Sequence, residues 1–177
     1  MLGTFCELTA IPASIYHLTL DERKALEIFI EGELKAGKIR ESKSPFTAPC
    51  FFISKKDGGR RLVQDYRKIN QWTVKDKFPL PRIDDLIDVL HDGKYFTKMD
   101  ILWGYNNVCI KEGDKEKAAF LTPLGLYEPT VMYFGLCNSP ATFSRMMAVL
   151  FRDMITERKC IIYMDDLVFI GKTLEEL

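Results

Sequence analysis

The spacing of apolar residues predicts a helix near the start of the chain. Between residues 18 and 39, apolar side chains recur every three or four positions, as they do on a helix with one buried side. Thr19 and Glu22 have the spacing of a capping box, and Gly37 can end the helix in a left-handed conformation. The predicted buried side consists of Leu26, Phe29, Ile30 and Leu34.

The next segment has the pattern of a β-hairpin. Apolar residues dominate Cys50–Ser54, the sequence KDGG supplies turn residues, and the chain returns through Arg61–Tyr66. These features predict two antiparallel strands joined by a short loop.

A short amphipathic helix and a strand are predicted beyond a proline-rich stretch. A turn at Asp92-Gly93 separates the helix from the strand YFTKMD, which ends at Asp100. One or two further strands are expected between residues 106 and 135. The apolar side of the helix consists of Ile83, Leu86, Ile87 and Leu90.

A second long helix is predicted over NSPATFSRMMAVLFRDMITE. Asn138 or Ser139 can cap it, and Pro140 suits its first turn. Its buried side is predicted to contain Phe143, Met147, Leu150 and Met154.

The last apolar segments predict a hairpin. Two short strands, Cys160–Tyr163 and Leu167–Ile170, are joined by a tight turn at Met164-Asp165. Helix, strands, helix and hairpin in this order predict an α+β domain with an antiparallel sheet backed by helices.

Composition narrows the class of protein. Apolar residues make up 47% of the 177 residues and charged residues 28%, which is ordinary for a soluble globular protein. No apolar run approaches the length of a membrane span, so no membrane partner is expected. Five widely spaced cysteines without a Cys-x-x-Cys pair favour free thiols in a reducing compartment. The two histidines argue against a histidine-built zinc site or a Ser-His-Asp triad.

Charge is distributed unevenly although the formal net charge is zero. Residues 35–82 contain thirteen Lys or Arg and four Asp or Glu, and the rest of the chain is correspondingly acidic. This asymmetry points to a polyanion beside the basic segment and to metal ions beside the acidic remainder. The alternative is that these charges only keep the protein surface solvated. Taken alone, the basic segment favours this alternative.

Two adjacent carboxylates, Asp165 and Asp166, lie inside the apolar run IIYMDDLVFI. Close carboxylates repel unless a cation lies between them, and oxygen ligands favour Mg²⁺ or Mn²⁺ over zinc. Mg²⁺ usually completes its shell with water and substrate phosphate, so a phosphate substrate is implied, and Asp100 is the candidate third ligand. The alternative to a metal site is an ordinary turn whose aspartates face water. The Asp pair in Ile83–Leu86 serves as a comparison, because it lies on the outer side of a predicted helix start, where acidic residues suit the helix dipole.

Four segments occur in one order: SKKDGGRRLVQDYRKIN, YFTKMDILWGY, FGLCNSPATF and YMDDLVFI. In this order and spacing they resemble the reverse transcriptases of gypsy-type long-terminal-repeat retrotransposons, and more distantly those of retroviruses. The resemblance covers roughly residues 18–173. It implies the fingers and partial palm of a right-hand polymerase. It also implies an RNA-directed DNA polymerase that adds deoxynucleoside triphosphates to a primer 3′-hydroxyl on an RNA or DNA template.

The resemblance also implies roles for individual residues. The catalytic residues, which would hold two Mg²⁺ ions or Mn²⁺ in their place, are Asp100, Asp165 and Asp166. The nucleotide-binding residues are Lys55, Arg61, Ile101, Tyr105, Phe134 and Gly135. The template- or primer-contacting residues are Asp65, Arg67, Ser139, Pro140, Tyr163 and Met164.

Two of these roles have plain alternatives. Tyr105 matches the aromatic residue that excludes a ribose 2′-hydroxyl, but it could be a packed core tyrosine. Lys55 and Arg61 flank the hairpin turn and could converge on one triphosphate, but they could also be exposed solubilising charges.

The resemblance divides the chain into a lead-in segment (1–17), a fingers-like region (18–82) and a palm region (83–177). The palm is expected to be truncated, without thumb or RNase H. The implied partners are the template-primer and the rest of a Pol polyprotein, including thumb, RNase H and integrase. The expected location is a retroelement particle in the cytoplasm, with the nucleus as a second location.

Two other functions are alternatives to this one. A truncated, inactive retrotransposon relic would only bind nucleic acid through its basic segment. An RNA-dependent RNA polymerase palm would more often carry Gly-Asp-Asp than the Tyr-Met-Asp-Asp of this chain, and it would lack an aromatic residue at Tyr105.

Overall fold

The computed structural model describes residues 15–54, 58–79, 81–164 and 166–176. In chain order its helices and strands are α1 (Leu20–Lys35), β1 (Ile39–Glu41), β2 (Ala48–Ser54), β3 (Arg60–Gln64), α2 (Arg67–Trp72), α3 (Ile83–His91), β4 (Tyr95–Asp100), β5 (Phe120–Thr122), β6 (Gly125–Pro129), α4 (Ser139–Leu150), α5 (Arg152–Thr156), β7 (Cys160–Tyr163) and β8 (Asp166–Gly171). Three short 3₁₀ helices lie at Gly104–Asn107, Lys115–Ala118 and Leu174–Glu176. The mixture of helices with mainly antiparallel strands confirms the predicted α+β class.

The chain forms two compact units that are discontinuous in sequence. The first unit takes in the described residues up to Lys75 together with Tyr105–Ser139. The second takes in Asp76–Gly104 and the described residues from Pro140 onward. The chain therefore leaves the first unit after Lys75 and returns to it at Tyr105.

The first unit is built on a five-stranded sheet in the order β1-β6-β5-β2-β3. The predicted hairpin is present: β2 and β3 are antiparallel, with Ser54 opposite Arg60. A parallel pairing of β2 with β5 adds the other strands. Buried side chains fill the space beside this sheet, and the hydroxyl of the fully buried Tyr66 donates a hydrogen bond to the Ala118 carbonyl (3.0 Å).

Helix α1 forms where the sequence predicted it. The Glu22 amide donates to Thr19 Oγ1 (3.3 Å) and the Thr19 amide donates to Glu22 Oε2 (2.8 Å), which completes the capping box. Gly37 ends the helix with φ +69°, a left-handed conformation that glycine adopts without strain. Leu26 and Ile30 are its buried residues.

The second unit is built on an antiparallel three-stranded sheet in the order β4-β8-β7. Leu167 and Cys160 lie on one face of this sheet and are buried, together with Phe143 and Met147 of α4. Part of this face therefore belongs to the core, whereas Lys98 and Asp166 on the opposite face are partly exposed.

The second long helix differs from the prediction. It is divided into α4 and α5 at Phe151, whose backbone (φ −106°, ψ 20°) leaves the helical conformation while its ring packs edge-on against Phe169 (6.2 Å between centroids). Leu150 and Met154, predicted to be buried, are 66% and 36% exposed. The apolar spacing continues through the break, but the backbone does not, so the spacing misplaced these two side chains.

Other elements also depart from the predicted pattern. Strand β1 and helix α2 were not predicted, because both are short and neither shows clear periodicity. Two apolar residues of α3, Ile83 and Ile87, are 64% and 46% exposed, so its apolar side is only partly covered. The four cysteines among the described residues are free thiols, and no described helix is both long and apolar enough to cross a bilayer.

Gly93 lies where the second unit has no room for a side chain. A Cβ atom there would lie 2.3 Å from Cγ2 of the buried Ile170 and 3.0 Å from the Phe96 ring. We expect Gly93→Ala to lower the free energy of unfolding by about 1–3 kcal/mol, since overpacking forces a stiff β-branched neighbour to move.

The matched control is Gly32→Ala in α1. A Cβ atom at Gly32 would meet nothing within 4 Å. This change should raise the free energy of unfolding by about 0.5–1 kcal/mol, because alanine loses less backbone entropy in a helix. Denaturant titration measures both variants, and a Gly93→Ala protein as stable as the original would contradict the packing of Gly93 against Ile170.

Candidate active site

The register of the three-stranded sheet brings two predicted catalytic residues together. Asp100 is the last residue of β4 and lies directly opposite Asp166, the first residue of β8. Opposed residues of an antiparallel pair point to the same face, with Cβ atoms about 5 Å apart. Tyr163 of β7 is opposite Asp166 on the other side and shares that face. The two carboxylates therefore lie side by side at one end of the sheet.

The hairpin between β7 and β8 has the predicted tight connection. Tyr163 pairs with Asp166, so two positions separate the strands. Met164 has φ +54°, a left-handed conformation that is unusual for a methionine, and its side chain is 41% exposed. Asp165 lies outside the described residues, as does the predicted nucleotide-binding residue Lys55.

Lys98 lies on the same face of the sheet as Asp100 and Asp166, which we call the carboxylate face. Sequence reasoning did not single it out. It precedes Asp100 by two residues in β4, and residues two apart in a strand point to the same side. Its Nζ lies 3.0 Å from Asp166 Oδ1. The strand period of two, applied backward from Asp100, would have found it.

The described carboxylates fit a hard divalent cation. They offer only oxygen donors, and Mg²⁺ uses one or two protein carboxylates and completes its shell with water and phosphate. Asp100 is exposed and Asp166 is partly exposed, so both are accessible. Among the described residues, no group of three His, Cys, Asp or Glu side chains is arranged around one metal position. Among the described residues, the carboxylates of Asp100 and Asp166 are thus the oxygen ligands available to a metal ion at this end of the sheet.

Four predicted nucleotide-binding residues lie in the first unit, and three of them are in contact. The Phe134 ring packs edge-on against the Tyr105 ring, with centroids 4.8 Å apart. The Arg61 guanidinium lies over the Phe134 ring, 5.7 Å from its centroid. Phe134 is 42% exposed, whereas Tyr105 is only 7% exposed. The structure thus joins Arg61, Phe134 and Tyr105 in one cluster, with the tyrosine in the packed position that the alternative interpretation describes.

Gly135 adopts a conformation that a side chain would strain. Its φ is +98°, and a Cβ atom would touch the Tyr66 ring at 3.4 Å and the Gln64 carbonyl at 3.5 Å. Asn70 holds the loop that contains Gly135 through two hydrogen bonds, one to Gly135 and one to Cys137. Its Nδ2 donates to the Gly135 carbonyl (2.7 Å), and its Oδ1 accepts from the Cys137 amide (2.9 Å).

Asn70 is a positioning residue that sequence reasoning missed. It sits in α2, a helix that was itself not predicted, and nothing in its local sequence indicates a partner 65 positions away. Its two hydrogen bonds fix the loop that carries Phe134 and Gly135, so α2 has a direct part in shaping the cluster.

The remaining predicted residues lie in varied surroundings. Ser139 is buried, and its hydroxyl donates to the Tyr133 carbonyl (3.4 Å), so its polar group is already used within the fold. Pro140 follows it in the first turn of α4. Ile101, directly after β4, is partly exposed, and the Tyr163 side chain is 38% exposed.

Asp65 and Arg67 form a two-pronged ion pair. Arg67 Nε donates to Asp65 Oδ1 (2.8 Å) and Arg67 Nη2 donates to Asp65 Oδ2 (2.6 Å). These hydrogen bonds hold the pKa of the Asp65 carboxyl below its ordinary value near 3.8. The Asp65 side chain is 11% exposed and that of Arg67 is 80% exposed, so the arginine presents its outer face to solvent.

Comparison with known proteins identifies relatives over most of the chain. The family described as "Reverse transcriptase (RNA-dependent DNA polymerase)" matches residues 53–177. The Retrovirus-related Pol polyprotein from transposon 297 of Drosophila melanogaster is 35% identical over 91% of this chain and 16% of its own length. The transposon 412 polyprotein of the same fly is 39% identical over 75% of this chain and 11% of its own length. The Transposon Tf2-3 polyprotein of Schizosaccharomyces pombe is 32% identical over 94% of this chain and 12% of its own length. The chain thus spans about a sixth or less of these curated relatives.

Solved structures share the fold. A foamy viral protease-reverse transcriptase in complex with an RNA/DNA hybrid superposes with a TM-score of 0.86 at 23% identity, over 99% of this chain and 23% of that one. The same viral enzyme in complex with double-stranded DNA also superposes with a TM-score of 0.86 at 23% identity, over 99% of this chain and 36% of that one. The match confirms the predicted polymerase fold.

The ion pair of Asp65 and Arg67 should make a pH-dependent contribution to stability. A depressed carboxyl pKa stabilises the fold above the unfolded value near 3.8, and this stabilisation is lost as the pH falls through the lower folded value. We expect a double-mutant cycle of Asp65→Asn and Arg67→Ala, measured by denaturant unfolding, to show favourable coupling at about pH 7 and a smaller coupling at about pH 2. Coupling that is the same at both pH values would contradict the ion pair.

Proposed function

The chain belongs to the reverse transcriptase family, and we propose that it carries the nucleotide-adding site of an RNA-directed DNA polymerase. The observation that carries this proposal is the strand register that sets Asp100 opposite Asp166, at the end of the sheet where the family motif YMDD lies. An ordinary solvated turn would not need a second carboxylate from another strand beside it.

We assign the metal-binding role to Asp100, Asp165 and Asp166, which would hold two Mg²⁺ ions, or Mn²⁺ in their place. When bound, such ions activate the primer 3′-hydroxyl and stabilise charge on the departing pyrophosphate. The protein's part is to keep the carboxylates fixed on a sheet that is anchored by the buried Leu167 and Cys160, so that the ligands need little rearrangement.

We assign the incoming deoxynucleoside triphosphate to Lys55, Arg61, Ile101, Tyr105, Phe134 and Gly135. The Arg61 guanidinium can donate several hydrogen bonds to phosphate oxygens from its place above Phe134. Glycine at position 135 lets the backbone approach a ligand closely, and Asn70 holds that backbone in place. Tyr105 packs against Phe134 and is only 7% exposed, so little of its side chain is accessible to a ribose.

We assign template and primer contacts to Asp65, Arg67, Ser139, Pro140, Tyr163 and Met164. Support comes from the foamy viral enzyme, whose structures contain an RNA/DNA hybrid or double-stranded DNA. The exposed outer face of Arg67 suits a phosphate contact, and Met164 extends from the hairpin tip. The buried Ser139 would act through its backbone. In the Pol polyproteins that the chain resembles, further domains would supply the remaining grip on the duplex.

Primer extension tests the metal-binding role. With a labelled DNA primer on an RNA template, deoxynucleotides and Mg²⁺, we expect Asp100→Asn and Asp165→Asn each to lower the extension rate by about a hundredfold or more. Both variants should remain as stable as the original, because each removes a charge that its neighbours repel.

The control is Asp85→Asn, which changes a carboxylate in the other Asp pair of the chain, in the first turn of α3. It should extend primers at the original rate. A sharp loss of stability in Asp100→Asn or Asp165→Asn would instead mean that the pair is structural. An original protein that binds duplex but never extends it would support the nucleic-acid-binding relic.

Arg61→Ala tests the nucleotide role. We expect KM for deoxynucleotides to rise about tenfold, because a charge-assisted hydrogen bond to phosphate is lost, while the Kd for template-primer changes little. Arg60→Ala is the matched control, since neighbouring residues of β3 point to opposite faces. An equal loss of nucleotide and template binding in Arg61→Ala would count against the assigned role.

A further inference from the structure

The carboxylate face of the three-stranded sheet carries its own cation. Lys98 is the only Lys or Arg within the strands β4, β7 and β8. The register places it opposite Val168, one same-face position along the sheet from the facing pair Asp100 and Asp166. Its ammonium group reaches diagonally to Asp166 Oδ1 at 3.0 Å.

Two facing carboxylates need such a cation when no metal is bound. Asp100 and Asp166 are direct cross-strand neighbours, and like charges in that position repel. The ammonium of Lys98 offsets part of this repulsion. It contacts a carboxylate oxygen of Asp166, which is the type of donor that a divalent cation requires.

The contact is also easy to break. The side chains of Lys98 and Asp166 are 64% and 47% exposed, so water can replace each partner at low cost. Lysine has a long flexible stem and a single compact charge, which allows it to move away without disturbing the strand. A buried or two-pronged pair would not yield in this way.

We propose that Lys98 is the counter-cation of the metal-free site and that incoming Mg²⁺ displaces it from Asp166. This inference rests on the proposed function, because it takes Asp166 to be a metal ligand. Lys98 is a positioning residue that holds Asp166 before metal arrives, and its competition for Asp166 weakens metal binding. Divalent cations thus bind to a site that is already partly neutralised.

Metal binding to the metal-free protein provides the test, with Mn²⁺ as the probe. Free Mn²⁺ is measured by electron paramagnetic resonance during titration of the full chain. We expect Lys98→Met to tighten Mn²⁺ binding about threefold, the change in Kd that the loss of one exposed ion pair supports. Lys98→Gln should behave in the same way, and Lys98→Arg, which keeps the charge, should bind like the original protein.

Lys159→Met is the matched control for the loss of one positive charge. Lys159 lies in the same unit and forms an exposed ion pair with Glu157 at 2.7 Å, away from the strand positions of the carboxylates. Its removal should leave the Mn²⁺ affinity unchanged. Thermal unfolding of each variant confirms that the fold is intact.

Each remaining outcome decides against the inference. Unchanged or weaker Mn²⁺ binding in both Lys98→Met and Lys98→Gln, with normal binding by the original protein, would overturn it and leave the proposed function standing. Equal tightening in Lys159→Met would assign the effect to net charge and overturn it as well. Failure of the folded original protein and of Lys98→Met to bind Mn²⁺ would overturn the inference together with the metal role of the carboxylates.

Discussion

The pairing of β4 with β8 is the constraint on which the carboxylate site depends. Because side chains alternate along a strand, a slip of one residue would send Asp100 to the opposite face from Asp166. Burial of Leu167 on the other face fixes the register, since the slipped arrangement would expose it and bury the charged residues. The same register brings Lys98 to Asp166. Hydrophobic burial on one face thus determines electrostatics on the other.

In the first unit, the predicted nucleotide-binding residues are held together by ring contacts and not by strand pairing. Arg61, Phe134 and Tyr105 come from three separate segments and meet through ring contacts. The loop that carries Phe134 has little regular structure, and Asn70 provides two of its hydrogen bonds. A side-chain amide that makes two well-formed hydrogen bonds can hold irregular backbone where no strand partner is available. The loop that carries Phe134 therefore depends on hydrogen bonds from α2.

Sequence periodicity was reliable where one local pattern was strong. The capping box and apolar spacing located α1, and turn residues between apolar runs located the hairpins β2–β3 and β7–β8. It was wrong at Phe151, because a helix break without Gly or Pro leaves the apolar spacing intact. It also missed α2, which has too few residues for a period to emerge. The resemblance to reverse transcriptases supplied the candidate site residues, but it gave no contacts among them.

The sequence by itself determined the family and the fold class, because the motifs and their order can be read directly along the chain; it also predicted oxygen ligands for a metal at the site. Tertiary structure decided which groups meet. The facing of Asp100 and Asp166, the ion pair of Lys98 and the bonds of Asn70 all join residues that are distant in sequence. The physical reason is that strand register and loop position follow from burial summed over a whole unit, a quantity that no short segment contains.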